Sequence, residues 1–178
     1  FSNPASEKIL LSPFADPELR AHYNVTSGET TYYGSTTAAE MRELCDTRKP
    51  YQDALEGKPF VCLPRQMKDR GYHTSAMHNF MGNFFERMQW YPKLGFDDEF
   101  FFKDLAPSMH RPCGGPFRGP CDADVAPVIT QKLRAAKQPT FFYWMTLSTH
   151  VPIAPGEGTP RLKCAQGGGA IGNEEVCY

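Results

Sequence analysis

Three segments of this chain carry side chains able to do chemistry, and their types suit an anionic group such as a phosphate. The first is Gly34-Ser-Thr-Thr, a run of hydroxyls directly before a helical pattern. A hydroxyl on the first turn of a helix lies among unpaired backbone N–H groups at the positive end of the dipole. It can meet a phosphate there, and its alkoxide is partly stabilised. A threonine hydroxyl is still a weak nucleophile and needs a metal ion or a base to act. Ser35, Thr36 and Thr37 are equally the residue types that cap a helix start. The second segment places Arg87 nine positions after His78, so that both could face one sheet edge and grip an anionic oxygen. The third ends at His150, closing Ser148-Thr-His150 behind an apolar run. Taken singly, these are also what a backbone-bonded histidine and a surface arginine look like. No two histidines have HExxH spacing and no CxxC occurs, while His22, His73 and His110 have no companion that raises them above packing or surface roles.

The elements that must position these groups read as follows. Thr37 and Glu40 have capping-box spacing, and Ala38, Met41, Leu44 and Cys45 form an apolar stripe, so a helix starts near Thr36 or Thr37. Residues 59–71 predict a short helix closed by Gly71, and residues 72–77 alternate as a strand that delivers His78. Residues 84–91 predict a second helix, stopped by Pro92 and Gly95, ahead of the aromatic segment 96–102. The Pro-, Gly- and Arg-rich stretch 107–120 reads as a surface loop. Residues 122–137 predict a helix with an acidic start and Val125, Val128, Ile129, Leu133 and Ala136 at helical spacing. Residues 140–147 form an unbroken apolar run of strand length, expected as a central strand covered on both faces, with His150 at the C-terminal end where open α/β sheets bind ligands. The lead-in 1–33 offers only Ile9, Leu10 and Leu11 as a short strand, and 156–178 is a Gly/Pro-rich tail.

Composition narrows the function classes. The chain has 178 residues, enough for a core without metals or crosslinks, and a net charge of −1 that gives nucleic acid or an anionic membrane no electrostatic reason to bind. With 15 Gly and 16 Pro it is loop-rich but below the level of disorder. No apolar run reaches a membrane span of roughly 18 residues, and the start has no signal-peptide pattern. Six cysteines suit disulfides and an oxidising compartment. Pairing sequence neighbours gives Cys45–Cys62, Cys113–Cys121 and Cys164–Cys177, a preference among the 15 pairings that six cysteines permit.

These pieces, in this order, resemble a known family. Gly34-Ser-Thr-Thr-Ala-Ala-Glu40 is similar to the nucleophile segment of lipoteichoic-acid-synthase-like and phosphoethanolamine-transferase enzymes, members of the alkaline phosphatase and sulfatase superfamily. Gly71-Tyr-His-Thr-Ser-Ala-Met-His78, Phe85-Glu-Arg87 and Tyr91-Pro-Lys-Leu-Gly-Phe-Asp97 look like the segment that follows it, and Phe142-Tyr-Trp-Met-Thr-Leu-Ser-Thr-His150 resembles the strand ending in a substrate-side histidine. The resemblance covers roughly residues 30–155. It implies part of an alkaline-phosphatase-like three-layer α/β/α sandwich, with a family-like core at 34–155. It implies Thr36 as nucleophile, with Thr37 the alternative register, and His78, Arg87 and His150 on the phosphate and the acceptor or leaving oxygen. The implied reaction moves a phosphoethanolamine or phosphoglycerol head group from a phospholipid donor to a lipid or glycan acceptor. The implied setting is the periplasm or the outer face of the bacterial inner membrane, in a membrane-anchored parent. Short-range disulfides like Cys113–Cys121 recur in the periplasmic transferases of this group.

The family binds zinc, manganese or magnesium through the threonine, an upstream Glu and a downstream Asp-His pair. Here no Asp follows Asp124, and Glu7, Asp16, Glu18 and Glu29 do not follow a hydrophobic strand, so Thr36 is the one such ligand expected on this chain. That predicts a catalytic-domain fragment, inactive by itself. Two alternatives stand beside it. A sulfatase-like hydrolase would use C-x-P-x-R, which Cys62-Leu-Pro-Arg65 misses by one position; a non-catalytic, disulfide-bonded binding domain would need none of Thr36, His78 or His150.

Overall fold

In the computed structural model, residues 11–26, 28, 33–148 and 150 are described. The chain divides into two compact units, Phe1–Thr31 with Gly158–Tyr178 and Tyr32–Glu157. In the first, Leu11 has helical backbone angles ahead of a 3-10 turn at Ser12–Ala15 rather than the extended ones expected of it, and Ile9 and Leu10 lie outside the described residues. Helix α1 (Pro17–His22) follows because Asp16 accepts the N–H groups of Glu18 at 2.7 Å and Leu19 at 3.2 Å, with Pro17 supplying the fixed φ of a first helical residue.

The second unit is an α/β unit on a parallel sheet. Its elements are α2 (Thr36–Cys45), α3 (Tyr51–Leu55), α4 (Leu63–Asp69), β1 (His73–His78), α5 (Arg87–Leu94), β2 (Asp98–Phe100), α6 (Phe102–Leu105), β3 (Pro112–Cys113), β4 (Gly119–Pro120), α7 (Asp122–Ala135) and β5 (Thr140–Met145). The strand order β2–β1–β5 is parallel throughout, with Ser75 opposite Asp98 and His78 opposite Met145. Parallel neighbours need crossovers, supplied here by α5 and α7.

Alternate side chains along β1 and β5 feed two cores. Ala76, Phe141 and Tyr143 face Met41, Leu44, Trp90, Tyr91 and Leu94 from α2 and α5. Met77, Phe142 and Trp144 face Leu105 of α6 and Val125 of α7. The sheet is thus covered by helices on both faces, which is the α/β/α layering expected. It also explains why β1 is buried from Thr74 to His78 instead of alternating.

Several local expectations need correction. β1, not β5, is the central strand; β5 sits at the edge of the described sheet, with every residue half-buried. Pro92 lies inside α5 rather than stopping it, and Gly95 ends the helix at φ +110°. A Cβ on Gly95 would stand 2.7 Å from the Arg65 backbone, so glycine also permits the close approach of α4. The 107–120 stretch is no simple surface loop: β3 and β4 pair antiparallel, and Cys113, Gly114, Gly119 and Pro120 are buried. Ala136 falls beyond α7, and Leu133 is exposed. Cys45–Cys62 and Cys113–Cys121 are bonded as paired from spacing; Cys164 and Cys177 lie outside the described residues. No helix among the described residues is long and apolar enough to cross a membrane.

Candidate active site

Helix α2 starts at Thr36, with Ser35 as its cap residue in extended conformation. Thr36 is exposed, whereas Thr37 is buried and its Oγ1 lies 2.9 Å from Ser35 Oγ. The two adjacent hydroxyls therefore have opposite situations: one faces outward and the other is bonded locally.

Glu40, one helical turn after Thr36, does not close a capping box. It is 1% exposed, and its carboxylate receives Arg87 from α5: Nη2 donates to Oε1 at 2.6 Å and Nε to Oε2 at 3.1 Å. The Tyr91 hydroxyl donates to the same Oε2 at 2.7 Å. Burial, then the Glu40 charge, push that hydroxyl well above its ordinary pKa, so it stays a donor. Arg87, expected on a substrate phosphate, is instead 1% exposed and held by Glu40, with Nη1 donating to the Phe84 carbonyl at 3.1 Å. A fork of donors matched to a carboxylate is the geometry guanidinium favours, and here it ties α2 to α5.

Arg87 reaches this position because residues 84–91 are not one helix. A 3-10 turn at Phe84–Glu86 precedes α5, and Phe85 and Glu86 adopt φ of +54° and +55°. Two successive non-glycine residues in the left-handed region cost about 1–3 kcal/mol each. The turn is fixed by its carbonyls: Phe84 accepts from Arg87, and Phe85 accepts from Trp90 Nε1 at 2.8 Å. Phe85 stays exposed beneath the Arg87 guanidinium, 5.4 Å away. Nothing in the sequence announces this turn, since it holds neither Gly nor Asn.

His78 ends β1 rather than following it, and is 6% exposed. Its Nδ1 lies 3.1 Å from the Met145 carbonyl on β5. A carbonyl only accepts, so Nδ1 carries the proton and Nε2 the lone pair. Burial, then the nearby Arg87 charge, lower the imidazole to a pKa of about 4, so it is neutral at ordinary pH. His150, whose charge also weighs on His78, is exposed; its N–H donates to the Leu147 carbonyl at 2.9 Å and its ring meets the edge of Phe117 at 4.6 Å. The two histidines and the Glu40–Arg87 pair thus gather at the C-terminal ends of adjacent parallel strands. His110 and His73 pair with Asp124 and Asp98 elsewhere.

The profile of the sulfatase family matches residues 15–167. The chain belongs to the sulfatase family. Among solved structures, this sulfatase-family chain is similar to the lipoteichoic acid synthase LtaP of Listeria monocytogenes, with a TM-score of 0.58 at 17% identity over 76% of this chain and 34% of that one. It is also similar to a protein of the alkaline phosphatase superfamily from Vibrio parahaemolyticus, with a TM-score of 0.52 at 24% identity over 67% of this chain and 28% of that one. The chain therefore has an alkaline-phosphatase-like fold and spans about a third of the length of these structures. No curated protein matches the sequence.

Two consequences follow for a sulfatase-family chain. Cys62, the nearest approach to a sulfatase nucleophile, is 1% exposed and bonded to Cys45, so it is not a thiol awaiting conversion. The superfamily generally uses divalent metals, yet no three His, Cys, Asp or Glu side chains group to hold an ion among the described residues. Glu40, the acid nearest Thr36 in the helix, is committed to Arg87 and Tyr91. The described residues alone do not fit a metal centre.

Proposed function

We propose that this chain carries the nucleophile and substrate contacts of a transferase that moves a phosphoglycerol or phosphoethanolamine head group from a phospholipid to a lipid or glycan hydroxyl. One observation carries this reading. Thr36 is exposed on the first turn of a helix that the Glu40–Arg87 pair ties to α5, with the Arg87 charge close enough to act on His78 at the end of β1. In the first half-reaction Thr36 Oγ bonds to phosphorus, the P–O bond to diacylglycerol breaks, and the diacylglycerol oxygen takes a proton. In the second, the acceptor oxygen bonds to phosphorus, the Thr36 Oγ–P bond breaks, and the acceptor's proton passes to Thr36 Oγ, regenerating the free hydroxyl.

A neutral His78 presents Nε2 as an acceptor, which suits a hydroxyl of the head group or acceptor rather than a phosphate oxygen. His150 stands at the rim, toward the leaving or acceptor oxygen. The divalent ion expected for activity is zinc first, with Thr36 the oxygen this chain would offer it. Two disulfides among the described residues support an oxidising compartment such as the periplasm.

The test is mass spectrometry of the full-length protein expected to contain this chain, after incubation with vesicles of phosphatidylglycerol or of phosphatidylethanolamine. A head-group mass on Thr36 from one vesicle type, lost in Thr36→Ala and kept in Thr37→Ala, is expected. No adduct from either, with turnover unchanged in Thr36→Ala, overturns the reading.

A further inference from the structure

We propose that Asp122 is a positioning residue for His150: its carboxylate fixes the turn after β5 and so sets where the imidazole stands. This rests on the reading of His150 as a substrate-side group. An aspartate in the first turn of a helix ordinarily serves its own helix, by capping or by complementing the dipole. The Asp122 carboxylate stands in that first turn but directs its bonds to other segments. Oδ1 accepts the Leu147 N–H at 2.9 Å and the Asn79 Nδ2 at 2.7 Å, and Oδ2 accepts the Ser148 N–H at 2.9 Å. The Asp122 N–H in turn donates to Ser148 Oγ at 2.8 Å. All three bonds to the carboxylate come from other segments, and the fourth answers one of them.

These bonds reach both histidines of the site. The Leu147 carbonyl, one peptide on from an N–H that Asp122 holds, accepts the His150 N–H at 2.9 Å. Asn79 follows His78 directly, is 0% exposed, and is itself fixed: Nδ2 also donates to the Pro120 carbonyl at 3.0 Å, and Oδ1 accepts Trp144 Nε1 at 3.0 Å. One carboxylate thus ties the first residue after β1 to the turn after β5. Leu147 is 2% exposed, so no bulk water stands ready to replace the lost bond. Charge-assisted bonds to three donors are strong and directional, as a turn that must hold a ring in place requires. The side chain over His150 is anchored from the same point. Phe117 sits within the loop closed by Cys113–Cys121, and Cys121 immediately precedes Asp122.

The experiment compares Asp122→Ala, His150→Ala and the double variant, made in the full-length protein expected to contain this chain, in single-turnover formation of the Thr36 adduct on phosphatidylglycerol or phosphatidylethanolamine vesicles, together with amide hydrogen exchange. Displacement of a contacting group by an ångström can cost about 100-fold, so each single variant is expected to slow the step by about 10- to 100-fold. The double variant is expected to be no slower than His150→Ala, because Asp122 acts through that ring. Exchange at the Leu147, Ser148 and His150 amides should quicken in Asp122→Ala. Asp122→Asn, which keeps one accepting oxygen, should fold and recover part of the rate, and it replaces the alanine variant should that one not fold. Multiplicative losses in the double variant, or unchanged exchange at these three amides, overturn the proposal. If the unaltered protein forms no adduct at all, the functional reading fails, and the exchange measurement alone decides whether Asp122 holds the turn.

Discussion

Replacing Arg87 by methionine removes a buried charge while keeping most of the side-chain volume, and the outcome tests the central arrangement of the site. In the intact protein Glu40 is 1% exposed and is bonded through both oxygens to Arg87 and through Oε2 to Tyr91. Arg87→Met leaves that carboxylate with one hydroxyl donor in a place water does not reach. Breaking one side of a buried ion pair costs about 3–5 kcal/mol. With a urea m-value near 2 kcal/mol/M, the midpoint of unfolding should fall by about 2 M. Glu40→Leu with Arg87→Met removes both charges; buried pairs replaced by apolar groups of similar volume are often neutral. That double variant should regain most of the loss, short of about 1–3 kcal/mol for the stranded Tyr91 hydroxyl. Adding Tyr91→Phe should recover this remainder. The reasoning is refuted if Arg87→Met shifts the midpoint by less than 0.5 M, an order-of-magnitude bound from the same m-value, or if the double variant is no more stable than the single one. In the stable triple variant, head-group transfer to Thr36 separates the two uses of the pair: slower transfer at unchanged stability means it also positions α2.

Two further outcomes follow from the same structure. His78 has a folded pKa of about 4, below its unfolded value near 6.5, so its contribution to stability is complete above pH 6.5 and is lost as pH falls toward 4. Unfolding free energies from urea titrations across that window should decline by about 3 kcal/mol more than in His78→Asn, and an equal decline in both refutes the assignment. Of the two disulfides, Cys45–Cys62 closes the longer loop, 17 positions against 8 for Cys113–Cys121. Chain-entropy reasoning gives about 3 kcal/mol for the first and somewhat less for the second, read as the stability lost in each Cys→Ser pair by chemical unfolding. Transfer activity should suffer more from losing Cys113–Cys121, since its loop carries Phe117 against His150.

Much of this was legible in the sequence, for reasons that differ by element. α2, α7 and β5 announce themselves because each has a strong local pattern, a stripe at helical spacing or an unbroken apolar run, while β1 was found from an alternation that its burial does not keep. Cys45–Cys62 and Cys113–Cys121 were legible because their loops are small. What failed was whatever depends on a distant partner. Glu40 matches a capping box in sequence, but its partner Arg87 lies 47 positions away and outcompetes the local bond. Pro92 reads as a stop, yet Trp90, Tyr91 and Leu94 bury so completely around it that packing carries the helix through. The left-handed pair Phe85-Glu86 has no sequence signature, because the bonds that hold it come from Arg87 and Trp90 side chains rather than from permissive residues.

The acidic residues of the site make the same point about function. A reader seeking a metal or a general base near Thr36 would turn first to Glu40, and near His150 to Asp122. Both are engaged elsewhere: Glu40 holds a guanidinium and a phenol, Asp122 two backbone N–H groups and an amide. Each joins a segment bearing a proposed reacting or binding group to an element distant in sequence. A neutral His78 completes the pattern, since its proton is directed at the Met145 carbonyl and only a lone pair remains to be offered. Glu40, Arg87 and Asp122 therefore build the frame, while Thr36 and His150 are exposed. Substitutions at Glu40 and Asp122 should mimic catalytic lesions without touching substrate, and only variants that separate stability from rate will tell the two apart.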